Sequence, residues 1–321
     1  MSRDNLAFIF ITFAAMGAGV FFPGAGEPLR WLPTASLITQ LLLAFLATAA
    51  SSVGVSAGSA VGLPRFLLIR MLIVPVVIGA LFTAVLPQYA LGAMLLAGAS
   101  VGVVAPFFTM QVGGDVRFAT AAVVSSSLAL PLTMPVLTLG YFALSGQEAA
   151  GGLWMSFLRT GAALAVYIFL PFIASRFLWW KGRAVGLAVL RLRYMLTIVG
   201  VGGCMFVIFS QYALPLRENP GRVLEAFLAA MLLGAAFIGV GALAGLGRNL
   251  ERRLSYMVSM STGNNVLMVI LSAQFFGLNE VLITAMYSIP LFGLLLPYTW
   301  YAVRLRNKEA AAQTNAAARR P

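Results

Sequence analysis

The 321 residues contain no histidine and a single cysteine, Cys204. Without histidine the chain lacks the usual base of a nucleophile–histidine pair and the commonest ligand of a catalytic metal. One cysteine excludes an intrachain disulfide and a thiolate cluster. Charge is scarce too: 9% of residues are charged, against roughly 25% in an ordinary soluble domain. The acidic residues fall mostly at the ends of apolar runs and nowhere form the facing pair that general acid–base chemistry needs. The composition therefore argues against an enzyme and calls for no cofactor.

What remains is apolar. Hydrophobic residues make up 61% of the chain and mean hydropathy is +0.95, too little polar surface for a water-soluble body. A hydrocarbon core about 30 Å thick takes roughly 20 apolar residues per helix. Breaks at proline, glycine and charge then predict ten spans, near 6–22, 33–57, 66–87, 91–111, 117–142, 152–174, 191–211, 222–246, 254–276 and 282–303. The run from Leu6 to Phe22 has the look of a secretory leader. It lacks a convincing small-residue cleavage site, so it is read as the first span.

The basic residues sort by side. Arg3, Arg65, Arg117, the group from Arg176 to Arg193, Arg248, Arg252, Arg253, and Arg304 onward fall on the side holding both termini. Only Arg30, Arg217 and Arg222 fall opposite. This bias predicts cytoplasmic termini in a bacterial-type inner membrane, and the net charge of +12 reads as topology and lipid contact rather than nucleic-acid binding. Trp179 and Trp180, before Lys181, suit the headgroup layer.

The loop near 143–151 divides the ten spans into two sets of five with opposite membrane orientation. The predicted units are a first repeat over 1–145, a second over 146–305 and a cytoplasmic tail over 306–321. The fourth span carries Gly98, Gly102 and Pro106, and the ninth carries Ser259, Ser261, Thr262, Gly263, Asn264 and Asn265. Both are expected to be broken, and each following span is proline-bearing, with Pro131 and Pro135 in the fifth and Pro290 and Pro297 in the tenth. Paired interrupted spans point to a binding site at the membrane midplane. The expected fold is thus an all-α polytopic membrane protein of ten helices in two inverted five-helix repeats, with the fourth and ninth broken.

Arg70 lies within the third span and Arg159 within the sixth. An arginine in hydrocarbon costs at least about 2.5 kcal/mol on insertion scales unless it snorkels or finds a partner. Arg70 fits either a structural tether or a substrate contact, while Arg159 fits snorkelling better. Asp115, just before the fifth span, suits a helix cap. The candidate substrate-binding residues are Arg70, Thr109, Gln111, Ser259, Ser261, Thr262, Asn264 and Asn265, which offer a cation, hydroxyls and amides but no carboxylate. The bland reading of the hydroxyl and amide cluster is interhelical packing.

The segment Gly102-Val103-Val104-Ala105-Pro106-Phe107-Phe108-Thr109-Met110-Gln111-Val112-Gly113-Gly114-Asp115, the segment Ser125–Pro135 and Thr262-Gly263-Asn264-Asn265 resemble the bile acid:sodium symporter family, within the wider group that includes arsenite permeases. The resemblance implies a core of spans three to five and eight to ten, moving against a panel of spans one, two, six and seven. It also implies where a sodium shell would lie, and there the sequence departs. The family's glutamate falls on Met260 and its following glutamine on Asn264. The Ser-Asn pair falls on Ala105 and Pro106, two hydroxyl ligands on Ala119 and Val123, and a third-span glutamine on Arg70. Phe107 stands where arsenite permeases carry a cysteine.

The expected function is secondary transport of a small amphipathic organic anion by alternating access, without the family's two-sodium site. A sodium-coupled symporter with altered ligands and a non-transporting membrane receptor or scaffold are the competing readings.

Overall fold

The computed structural model describes residues 3–50, 61–146, 153–293, 298, 300–305 and 307. The expected tail, Pro297, and the last part of the 33–57 span from residue 51 onward lie outside them, apart from residue 307 in the tail. The described residues are helical almost throughout: α1 (Arg3–Phe21), α2 (Leu32–Ala50), α3 (Leu63–Val85), α4 (Ala90–Gly98), α5 (Ala105–Gln111), α6 (Val116–Ser145), α7 (Leu153–Lys181) and α8 (Arg183–Arg191). They continue with α9 (Arg193–Gln211), α10 (Ala213–Glu218), α11 (Pro220–Ala244), α12 (Leu250–Ser261), α13 (Asn265–Phe275), α14 (Leu278–Met286) and α15 (Ser288–Gly293).

Among the described residues, six helical stretches are long and apolar enough to cross a membrane: Glu27–Ala49, Leu63–Val85, Val116–Ser145, Phe157–Lys181, Arg193–Gln211 and Pro220–Ala244. Their outward faces are apolar. Val76, Val77, Leu81 and Val85 on α3 and Leu224, Leu228 and Leu232 on α11 are exposed at helical spacing, a surface that water would penalise and lipid does not. The protein is an all-α polytopic membrane protein.

The expected end of the sixth span shifts. α7 runs on to Lys181, seven residues past the expected end at 174. Only Gly182 separates it from α8, so what reads as a charged connection is mostly helix. Arg176 and Arg183 lie over Phe172 and Trp179, at 5.4 and 5.0 Å, and let the helix carry its charges past the apolar layer. Pro131 and Pro135 leave α6 continuous. The hydroxyls of Thr133 and Thr138 donate back to the carbonyls of Ala129 and Pro135 within the same helix.

α3 is not uniform. Its turn over Ile69–Ile73 is a π-helical widening directly ahead of Pro75. Pro75 has no N–H to give the preceding turn and its ring crowds the carbonyl four residues back, and a widened turn relieves both. Arg70 and Met71 are both buried in this turn.

Helices α1, α2, α7 and α9 pack as neighbours: α9 lies between α1 and α2, and α7 lies on the other side of α2. α3 pairs with α4, α11 with α12 and with α14, and α12 with α5 and α6. α6 and α7 pack along one another, and α13 reaches across to α2 and α7.

Candidate functional site

α4 stops at Gly98 and α5 begins at Ala105. Between them the backbone is extended at Ala99, with ψ of 145°. α12 stops at Ser261 and α13 begins at Asn265. The two non-helical stretches meet: Val101 and Gly263 form an antiparallel bridge, in which the Gly102 N–H donates to the Thr262 carbonyl at 2.7 Å and the Asn264 N–H to the Ser100 carbonyl at 2.8 Å. Each break thereby satisfies backbone groups that the other leaves free, which is how irregular backbone survives away from water. Gly102 is required by closeness, because a Cβ there would stand 2.7 Å from the Gly263 carbonyl oxygen. Ser126 of α6 joins in, its hydroxyl accepting from the Val101 N–H at 2.9 Å.

Arg70 enters this crossing from the widened turn of α3 and is fully buried. Its Nε donates to the Ala99 carbonyl at 3.2 Å, just past the end of α4, and its Nη1 donates to the Met260 carbonyl in the last turn of α12. Both carbonyls belong to helix C-terminal ends, where partial negative charge collects and a cation is favoured. The guanidinium also lies 5.6 Å from the centre of the Phe237 ring on α11. Its Nη2 has no hydrogen-bond partner, and no carboxylate pairs with it among the described residues. Arg70 therefore faces the crossing and not the membrane interface.

The other candidate residues divide. Asn264 accepts the Leu267 N–H at 3.4 Å and so caps α13, leaving its Nδ2 unpartnered. Asn265 donates through Nδ2 to the Ser288 hydroxyl at 2.7 Å, leaving its Oδ1 unpartnered. The Thr262 hydroxyl donates to the Val258 carbonyl at 2.6 Å, and the Ser261 hydroxyl bonds the Met257 carbonyl and the Tyr298 hydroxyl. These two are occupied within the fold. Ser259 is buried with an unpartnered hydroxyl.

Thr109 and Gln111 lie at the other end of α5, away from the break. The Thr109 methyl would be 2.8 Å from a Cβ on Gly114, a position that also meets Ser255, and the Thr109 hydroxyl is buried without a partner. Gln111 is half-buried there. Arg159 is exposed, as snorkelling requires. Asp115 caps α6, its carboxylate accepting the Phe118 N–H at 3.0 Å.

Sequence reasoning passed over Ser100, Tyr287 and Ser288, and took Ser126 and Ser127 only as part of the resembling Ser125–Pro135 segment. Tyr287 donates to the Ser261 carbonyl at 2.6 Å, and Ser100 and Ser127 keep buried hydroxyls with no partner. Ser100 next to a glycine-rich helix end was a usable signal. The tyrosine was not, because its contact spans 26 residues.

The two helix-end carbonyls at the crossing do not suit a sodium ion while Arg70 holds them. A hard cation needs several oxygen ligands, and here a guanidinium occupies the Ala99 and Met260 carbonyls while Met260 offers only a thioether side chain. No protein-family model matches the chain, and no curated protein matches it.

Proposed function

We propose that this protein is a secondary transporter of a small amphipathic organic anion, working by alternating access around the crossing of two broken spans. In this reading α4 with α5 and α12 with α13 are the fourth and ninth of ten spans, related by an inverted repeat. α3–α6 and α11–α15 form the moving core, and α1, α2, α7 and α9 form the panel. The mutual packing of α1, α2, α7 and α9 supports the panel as a group, and the two sets meet most extensively along α6 and α7.

The observation that carries the proposal is the Arg70 guanidinium seated between two helix C-termini at the bridged breaks. It supplies a positive charge that needs no bound metal. The unpartnered Arg70 Nη2 and Asn264 Nδ2 are free to donate to a carboxylate or sulfonate once the crossing opens. Because the cation is part of the chain, the cycle needs no bound sodium, and the mode is facilitated diffusion or anion exchange.

Uptake into proteoliposomes, with sodium, the proton gradient and internal counter-substrate varied one at a time, tests this. Counterflow of an organic anion that is indifferent to sodium is expected. A strict sodium requirement would overturn the fixed-cation reading, and saturable binding without flux for every bound anion would overturn transport itself.

A further inference from the structure

A second concentration of positive charge lies at the opposite end of α12, well away from the crossing. The Tyr256 ring is buried, stacked on Phe118 at 4.8 Å and 7°, and its hydroxyl donates to the Gly62 carbonyl at 2.9 Å. Gly62 has φ of +82° and carries the start of α3. A Cβ there would meet the Tyr256 hydroxyl at 2.7 Å and the Arg248 guanidinium at 3.3 Å. Arg252 lies over the Phe118 ring at 4.7 Å and reaches the Asp115 carboxylate at 3.4 Å. Arg65 stands three residues after Gly62, in the first turn of α3, whose start Tyr256 and Arg248 both approach.

These arginines come from three places in the chain: the first turn of α3, the loop before α12 and the first turn of α12. Only Arg252 has a carboxylate partner. Arg65 and Arg248 are exposed and make no ion pair among the described residues. Glu251, the other nearby carboxylate, is exposed in the first turn of α12. Membrane topology needs basic residues somewhere in these loops. It does not need them gathered from separate segments around one buried tyrosine whose hydroxyl stands where a Cβ at position 62 would.

We propose that Arg65 and Arg248, with Arg252 behind them, form a binding site for a phosphate-bearing anion. Arginine pairs with phosphate through two parallel N–H donors, and Arg248 beside Gly62 and Arg65 three residues further on both have exposed guanidiniums with no carboxylate on them among the described residues. The headgroup of an anionic phospholipid and a soluble phosphate share this chemistry. The site ties α3 to α12, the two helices that also meet at Arg70 and Met260, so occupancy stiffens the core without touching the crossing. The proposal stands independently of what the protein transports.

The full chain in a neutral detergent tests it by thermal unfolding. The added probes are short-chain phosphatidylglycerol, short-chain phosphatidylcholine, inorganic phosphate, and sodium chloride at matched ionic strength. Phosphatidylglycerol or phosphate is expected to raise the unfolding midpoint by about 2–4 °C near saturation, while phosphatidylcholine and chloride do not. A shift by phosphatidylglycerol alone assigns the lipid headgroup, and a shift by phosphate as well assigns a soluble anion. The double variant Arg65→Gln/Arg248→Gln should lose the shift, whereas Arg176→Gln/Arg183→Gln, which removes the same charge elsewhere, should keep it. No shift by either anion, or equal shifts in both double variants, overturns the site.

Discussion

Replacing Arg70 by methionine removes a buried charge and two hydrogen bonds together, and the balance can be worked through. Burying an unpaired guanidinium costs several kcal/mol. Two charge-assisted hydrogen bonds at about 1.5–3 kcal/mol each, two helix ends and the Phe237 ring offset most of that. If those terms cancel, the residue of the substitution is two buried carbonyls, of Ala99 and Met260, left without a donor. Each costs about 1–3 kcal/mol, so destabilisation of about 4 kcal/mol is expected, a fall of roughly 8–16 °C in the unfolding midpoint. Arg70→Gln sharpens the test, because its amide oxygen joins two carbonyl oxygens and no fixed cation. Its midpoint should recover partly in sodium or lithium chloride and not in choline chloride, while the unsubstituted protein is indifferent to all three. Fluorescence-detected unfolding in detergent reads both effects. An Arg70→Met midpoint equal to or above that of the unsubstituted protein would show that the guanidinium does not hold the two helix ends, and the fixed-cation account would fall with it.

Gly102→Ala should abolish a monodisperse peak in size-exclusion chromatography, because the obstructing atom is the Gly263 backbone and cannot step aside. Tyr287→Phe removes the donor to the Ser261 carbonyl and should cost about 1–3 kcal/mol of stability, seen as a lower unfolding midpoint. The hydrogen bond between the Tyr167 hydroxyl and the Gln274 side chain ties α7 to α13 at an exposed position. Tyr167→Phe should therefore change stability by less than about 1 kcal/mol yet alter the exchange rate in proteoliposomes, and an unchanged rate would remove this tie from the cycle.

Some of this was legible before any coordinates. Gly98, Gly102 and the Thr262–Asn265 run mark helix ends by local chemistry alone, since glycine weakens helix and asparagine competes for backbone donors. Asp115 announces its cap by position. Arg70 could not be aimed, because helical spacing assumes 3.6 residues per turn and the widened turn before Pro75 breaks that assumption. Thr109 and Gln111 share a short helix with the break but sit at its far end, a distance that counting along the chain understates. The Ser126, Tyr287 and Ser288 contacts join residues from separate helices, and no local pattern reports them.

The wide turn of α3 also fixes how tolerant that helix is to changes in length. An added residue in one turn shifts everything after it by about 100° around the axis. Removing one residue from Ile69–Ile73 would regularise the turn but swing Gly79 off Met94 of α4 and turn the buried Ile78 and Phe82 away from their present places. Keeping those contacts would instead rotate the guanidinium outward into lipid. The two ends of this helix are thus phased by a single surplus residue.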